Sequence, residues 1–202
     1  MMQFNEWLFE INIPKGKDAH YALVHWLKRN SLGDLFTEES KAITYVVYQY
    51  MDGYCIIAKS CVPIHLPIVE HNSFEVDLKS KIKLAVQLST KKRVRPPNLL
   101  HESQSSSRHQ TIIRGMTDVE KNERVQLIIQ ELGIDPNTAI FTTHEGIDIP
   151  VHHKRQNLFI SEPTMNVVIE GNIVDALQFE KAWSYGVGNK RVYGLGCVRI
   201  LR

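Results

Sequence analysis

The stretch VVIEGNIVDALQFEKAWSYGVGNKRVYGLGCVRI, residues 167–200, carries the decisive pattern of the chain. Its opening belongs to MNVVIEGNI, residues 165–173, whose apolar, β-branched run predicts a strand. Asp175 is placed to cap a helix through Trp183 that buries Ala176, Phe179 and Trp183, and Gly186 is placed to end it. Residues 191–201 then read as a last strand. Between helix and strand, Gly186, Gly188, Gly194 and Gly196 surround Lys190 and Arg191. Glycine admits positive φ and close approach of another chain, so a loop of this composition suits an anionic ligand. A dinucleotide fingerprint would need a third glycine where Arg191 stands and a βαβ unit around it; a phosphate loop of the Walker type would need Gly-Lys-Ser or Gly-Lys-Thr. Both are excluded. Two glycine turns that only end a helix and bend a strand would carry the same spacing.

Working outward, Phe4 to Ile13 predicts a first strand closed by Pro14, Lys15 and Gly16. Asp18 can cap the helix that follows, in which Ala19, Ala22, Leu23, Trp26 and Leu27 form one apolar stripe. AITYVVYQY at 42–50 and YCIIAKSCV at 54–62, separated by Met51, Asp52 and Gly53, predict a hairpin. Residues 64–70 read as a short helix or extended link, and FEVDL and IKLAVQLS then supply paired strands to about Ser89. Residues 93–115, with Pro96, Pro97 and HESQSSSRHQ, predict an exposed, partly mobile loop. A capping box of Thr117 and Glu120 starts a second helix with Val125, Ile128, Ile129 and Leu132 on one face, stopped at Gly133. Residues 138–160 read as an irregular region containing strand. This order predicts an α+β chain of tandem ferredoxin-like (RRM-like) units, antiparallel sheets with helices on one face, divided as 1–92 and 93–202.

The chain has 202 residues, 43% hydrophobic, enough to bury a real core as one domain or two small ones. Its formal charge of +2 is small but uneven. Lys79, Lys81, Lys83, Lys91, Lys92, Arg93 and Arg95 follow one another with no acid between, and Lys190, Arg191, Arg199 and Arg202 repeat the pattern at the C-terminus. Together they could make one anion-binding face, although a solvated strand face uses lysines in the same way. Cys55, Cys61 and Cys197 lack metal-knuckle spacing, and their odd number points to a reducing cytoplasm. MMQFNEWLFE is unlike a signal peptide, and no apolar run approaches ~20 residues, so a soluble, unexported protein is expected. His144, His152 and His153 lie close in sequence without a second knuckle, and no metal or other cofactor is expected.

The helix, glycine loop and final strand of residues 167–200 resemble the C-terminal signature of the CRISPR-associated endoribonuclease CasE, of the RAMP group. FEVDLKSKIKLAVQLSTKKRV, residues 74–94, resembles that family's strand and basic-turn block, and DAHYALVHWL, residues 18–27, its first helix. The resemblance implies tandem ferredoxin-like units that cut CRISPR precursor RNA within its repeats without a metal, leaving a 2′,3′-cyclic phosphate or related terminus. It further implies retention of the repeat hairpin and mature crRNA as a subunit of an effector complex. By position the family's histidine falls on His20, and where the family often has a tyrosine one turn earlier this chain has Lys17.

RNA self-cleavage uses the 2′-hydroxyl as nucleophile, so the protein must supply a proton acceptor or donor, positive charge at the phosphorane and an in-line grip. His20 suits the first role because imidazole titrates near neutrality, and its first-turn position would set a phosphate against free helix N–H groups. Lys17 could stabilise the same anion, and Tyr21 is a nearby donor. His25 falls roughly 140° around the helix from His20 and reads as structural; His101 and His109 sit in the 93–115 loop. For RNA binding the candidates are Lys91, Lys92, Arg93 and Arg95 on a duplex stem, with Gly186, Gly188, Lys190, Arg191, Gly194 and Gly196 at the RNA backbone. A repeat-binding scaffold with little or no cleavage, or a protein-interaction module meeting an acidic partner, would draw on the same basic segments.

Overall fold

The computed structural model describes residues 1–37, 42–77, 80–94, 112–153 and 157–201. The first strand, β1 (Met2–Asn12), changes its buried face along its length. Phe9 and Ile11 face the first helix, while Phe4 on the opposite side joins a second core. The helix α1 (Ala19–Arg29) starts at Asp18, whose carboxylate accepts the Tyr21 N–H at 2.8 Å, and buries Ala19, Ala22, Leu23 and Leu27 as its periodicity requires. Each buried leucine contributes roughly 1.5–3 kcal/mol. Trp26 stacks on Phe9 with ring centroids 4.2 Å apart. The hairpin follows as β2 (Ile43–Tyr50) and β3 (Gly53–Ser60). Residues 61–69 contain no helix, so they form the link rather than a helical element.

The expected pairing of FEVDL with IKLAVQLS does not form. Instead β4 (Glu70–Val76) pairs with β1, and β5 (Lys81–Ser89) crosses to a different sheet, where it lies between the last strand and a long hairpin strand. The reason is visible in their side chains. β5 buries Ile82, Leu84, Val86 and Leu88 and needs neighbours on both edges, whereas β4 is mostly exposed and closes an edge. The change of sheet therefore falls between Val76 and Lys81.

After β5 a short ribbon, β6 (Lys91–Val94) paired with β7 (Ile112–Gly115), leads into α2 (Asp118–Glu131), which carries the Thr117/Glu120 capping box and buries Val125, Ile128 and Ile129. The ends of the segment expected to be loop are thus strands, and residues 95–111, with Arg95, His101 and His109, lie outside the described residues. β8 (Ile140–His153) and β9 (Leu158–Asn172) form a long hairpin with a bulge between Glu145 and Asp148. The region read as irregular is therefore mostly continuous strand. α3 (Ala176–Tyr185) is capped by Asp175 and stopped by Gly186 at φ 73°. The final strand β10 is only Val198–Ile200, because residues 191–193 form a 3-10 turn.

The two sheets run β2-β3-β1-β4 and β10-β5-β9-β8, the same order when each is numbered within its own unit. The second is a complete βαββαβ unit; among the described residues the first has a single α-helix, α1. Their cores meet. Phe4 packs edge-on against Phe179 and Trp183 of α3, while Ile149 and Val151 of β8 enter the core beneath α1. Cys55, Cys61 and Cys197 are free thiols, and no described helix is long and apolar enough to cross a membrane.

Candidate functional site

His20 sits in the first turn of α1, with Asp18 holding that turn from two sides: one carboxylate oxygen takes the Tyr21 N–H, the other the His152 N–H at 3.0 Å. This second bond ties the start of α1 to β8, so the position of His20 depends on both units. The first bond means that Tyr21's N–H, one of the helix donors expected for a phosphate, is already engaged. The His20 ring tilts against Phe36, with centroids 5.7 Å apart, and faces a groove of about 980 Å³. Across that groove lies the glycine loop, with Gly188, Lys190, Arg191 and Val192 on its wall. The structure thus brings together two candidates 168 positions apart, His20 and the loop from Gly188. Lys28, two turns further along α1, lines the same groove and makes no ion pair among the described residues. Sequence reasoning passed over it; its signal was a cation eight residues after His20 beside the apolar stripe.

The loop's backbone follows from its glycines, all four of which have positive φ. Space beside all four is filled by the protein itself. A Cβ on Gly196 would collide with the Val187 carbonyl oxygen, one on Gly194 would fall 2.6 Å from the Tyr45 ring, and one on Gly186 would fall 2.7 Å from the Gly196 oxygen. Close approach at Gly186, Gly194 and Gly196 is therefore internal, and so it is at Gly188, where a Cβ would fall 2.8 Å from the Arg124 guanidinium and 3.2 Å from Ile128; Gly188 also borders the groove and gives its N–H to the Glu131 carboxylate at 3.0 Å. Tyr45 fixes the loop from below by donating its hydroxyl to the Val192 carbonyl at 2.5 Å, and burial raises its pKa well above the usual phenol value.

The loop cations are opposed by acids and carbonyls that the local sequence does not reveal. Lys190 lies 2.5 Å from Glu162, a 4% exposed carboxylate that also accepts from Ser89 and has Lys91 3.9 Å away. Arg191 donates to the carbonyls of Tyr185 and Gly186 at 3.2 and 3.3 Å, where its charge also suits the negative end of α3. The same holds for the basic ribbon. Lys92 pairs with Glu120 at 3.0 Å, and Arg114 from the facing strand binds both oxygens of that carboxylate at 2.7 Å. The Arg114 hydrogen bonds, reinforced by the Thr117 backbone N–H, hold the Glu120 carboxyl well below the usual carboxylate range. Arg93 is exposed and makes no ion pair among the described residues.

Compared with solved structures, the chain is similar to the CRISPR-associated protein Cas6e from Escherichia coli str. K-12, at 14% identity and a TM-score of 0.60, over 96% of this chain and 98% of that one. It is similar to Thermus thermophilus Cse3 bound to an RNA representing a pre-cleavage complex, at 14% identity and 0.58, over 98% and 100%. A chain of a CRISPR RNA-guided surveillance complex aligns at 15% identity and 0.59, over 96% and 98%. This chain has the fold of Cas6e. No protein-family model and no curated protein sequence matches it.

Within this Cas6e fold the remaining candidates fall elsewhere. Lys17 sets its ammonium 4.6 Å from the Tyr21 ring centroid, and Tyr21 stacks on His25 at 5.8 Å. Tyr21 and His25 line a separate cavity of about 450 Å³ on the other flank of α1. His20 and His25 accordingly face different cavities. His152 packs on Phe159 and contacts Asn157, and among the described residues no group of three His, Cys, Asp or Glu side chains is placed to hold a metal ion.

Proposed function

We propose that the chain is an endoribonuclease that cleaves CRISPR precursor RNA within repeat hairpins, without a metal, and retains the mature guide RNA as a subunit of an effector complex. The observation that carries this reading is the shared groove: a first-turn histidine on one wall and, on the other, a glycine-rich backbone with two cations. Support comes also from the fold it shares with proteins described as a CRISPR endoribonuclease bound to RNA and as part of an RNA-guided surveillance complex.

The chemistry proposed for the groove is transesterification. A base removes the proton of the 2′-hydroxyl, the 2′-oxygen bonds to phosphorus, the bond from phosphorus to the 5′-oxygen breaks, and that oxygen takes a proton. A cyclic phosphate and a 5′-hydroxyl result, and the electrons balance with no redox partner. His20 serves as the proton-transfer residue, worth roughly 10²- to 10⁴-fold in rate. Lys28 is assigned the electrostatic role first considered for Lys17, because it borders the His20 groove. Lys190 and Arg191 hold the loop in shape and add positive potential on its outer side, while Lys92, Arg93 and Arg114 offer a charged ribbon to a duplex stem.

Purified protein incubated in EDTA with labelled repeat RNA tests this reading. A single defined cut ending in a cyclic phosphate is the expected result. Stable binding without a cut would replace it with the scaffold reading, and absence of binding would overturn it.

A further inference from the structure

On α1, the residues Tyr21, His25 and Arg29 follow one another at intervals of four, so they run along one face, away from the buried stripe, and Lys17 stands just before the Asp18 cap at the start of that face. All four are exposed, Tyr21 at 43%. Their geometry is a ladder: the Lys17 ammonium over the Tyr21 ring, and the Tyr21 ring nearly parallel to His25, at 14°. Beside it lies the cavity of about 450 Å³, bordered by Trp26, Asn30 and Arg29 and containing no acidic residue in its lining. The Tyr21 and His25 rings thus lie between a cation just before the helix, Lys17, and one at its end, Arg29, with room next to the rings for a planar group.

We propose that this face is a second RNA site, a stacking platform for an unpaired strand that continues from the paired stem held at the His20 groove. The inference rests on the RNA reading above and extends it to a different surface. Aromatic side chains stack on bases of any sequence, and cations spaced along them follow the phosphates, which is the chemistry of single-strand binding. Position favours the same occupant. His20 and Tyr21 are adjacent residues facing different cavities, so a strand leaving the groove need only round the start of α1, a body about 10–12 Å across, to reach the ladder.

The test compares three RNAs by fluorescence anisotropy at fixed salt: the repeat hairpin alone, that hairpin with an oligouridylate tail on either side, and free oligouridylate. Wild-type protein should bind one tailed hairpin more tightly than the bare one, by roughly 5- to 150-fold for each base stacked. His25→Ala combined with Arg29→Ala should remove that gain while leaving bare-hairpin affinity within about twofold. Tyr21→Ala should reduce the gain and Tyr21→Phe should keep it, since stacking needs the ring and not the hydroxyl; unchanged circular dichroism and melting would show the variants folded. Bare hairpin bound with no gain from either tail overturns this inference and leaves the proposed function standing. Equal losses on bare and tailed hairpins, or displacement of the tail by polyaspartate as readily as by oligouridylate, also overturn it. Failure to bind the hairpin, with oligouridylate bound by wild type and lost in the variants, supports the platform and overturns the repeat-RNA reading; binding of neither RNA overturns both.

Discussion

The Lys59 ammonium lies 3.5 Å from the centroid of the Trp183 ring and donates to the carbonyls of Trp183 at 2.6 Å and Val198 at 2.7 Å. Lys59 is 1% exposed and belongs to the first sheet; its two acceptors belong to α3 and β10, on either side of the glycine loop. One buried side chain therefore fixes both ends of the segment that walls the groove.

Replacing Lys59 with Met should destabilise the fold by about 2–6 kcal/mol, at about 1–3 kcal/mol for each of the two buried carbonyls that lose their donor. Burial lowers the Lys59 pKa, so between its folded value and the ordinary value of 10.5 the unfolded chain binds the extra proton. Stability then rises with pH across that window and carries a penalty below it. A neutral amine still has two N–H groups, so both bonds survive deprotonation. Urea unfolding at several pH values should show this rise in the wild type and a flatter dependence in Lys59→Met. Parallel curves would remove Lys59 as its source.

Two glycines with similar φ provide a contrast. Gly16 has φ 75° and no atom within 4 Å of the place a Cβ would take, so Gly16→Ala should cost only the backbone strain, about 1–3 kcal/mol at most. Gly196→Ala adds a collision with the Val187 carbonyl, and should cost more than ~3 kcal/mol or prevent folding. Equal denaturation midpoints for the two would show that the crossing of Val187 and Gly196 is not tight.

Along the basic ribbon, the ion pairs rank the cations. Lys91 is engaged by Glu162 and the Ser161 carbonyl and Lys92 by Glu120, whereas Arg93 makes no such pair among the described residues. Arg93→Ala should therefore weaken hairpin binding more than Lys91→Ala. Its salt slope should fall by roughly 0.7–0.9 for a phosphate that the protein no longer neutralises. A larger effect from Lys91→Ala would refute the ranking of these cations by their ion pairs.

At the groove, His20→Ala should lower single-turnover cutting in EDTA by ~10²- to 10⁴-fold with the dissociation constant within a few fold of wild type. Lys28→Ala should slow the same step, and Lys17→Ala should not, because Lys17 is directed to the Tyr21 ring. Wild-type cutting by His20→Ala at saturating protein would refute the assignment of the histidine.

The helices were legible from residues because their determinants are local. Asp18, Asp175 and the Thr117/Glu120 box each act over three residues, and the glycine at 186 ends α3 where the sequence placed it. The ferredoxin-like order of elements and His20's place in a first helical turn were likewise in the chain itself. Strand partners were not: FEVDL and IKLAVQLS adjoin in sequence, yet pairing depends on which faces must be buried, and β5 finds its partners in β9 and β10. Charge balance was equally hidden, since an acid-free run from 79 to 95 says nothing of Glu120 and Glu162, which folding brings to Lys92, Lys91 and Lys190. The groove itself belongs to tertiary structure alone. It exists because Asp18 binds His152, Lys59 holds Trp183 and Val198, and Tyr45 holds Val192, contacts that link residues more than a hundred positions apart and have no signature in any short window of sequence.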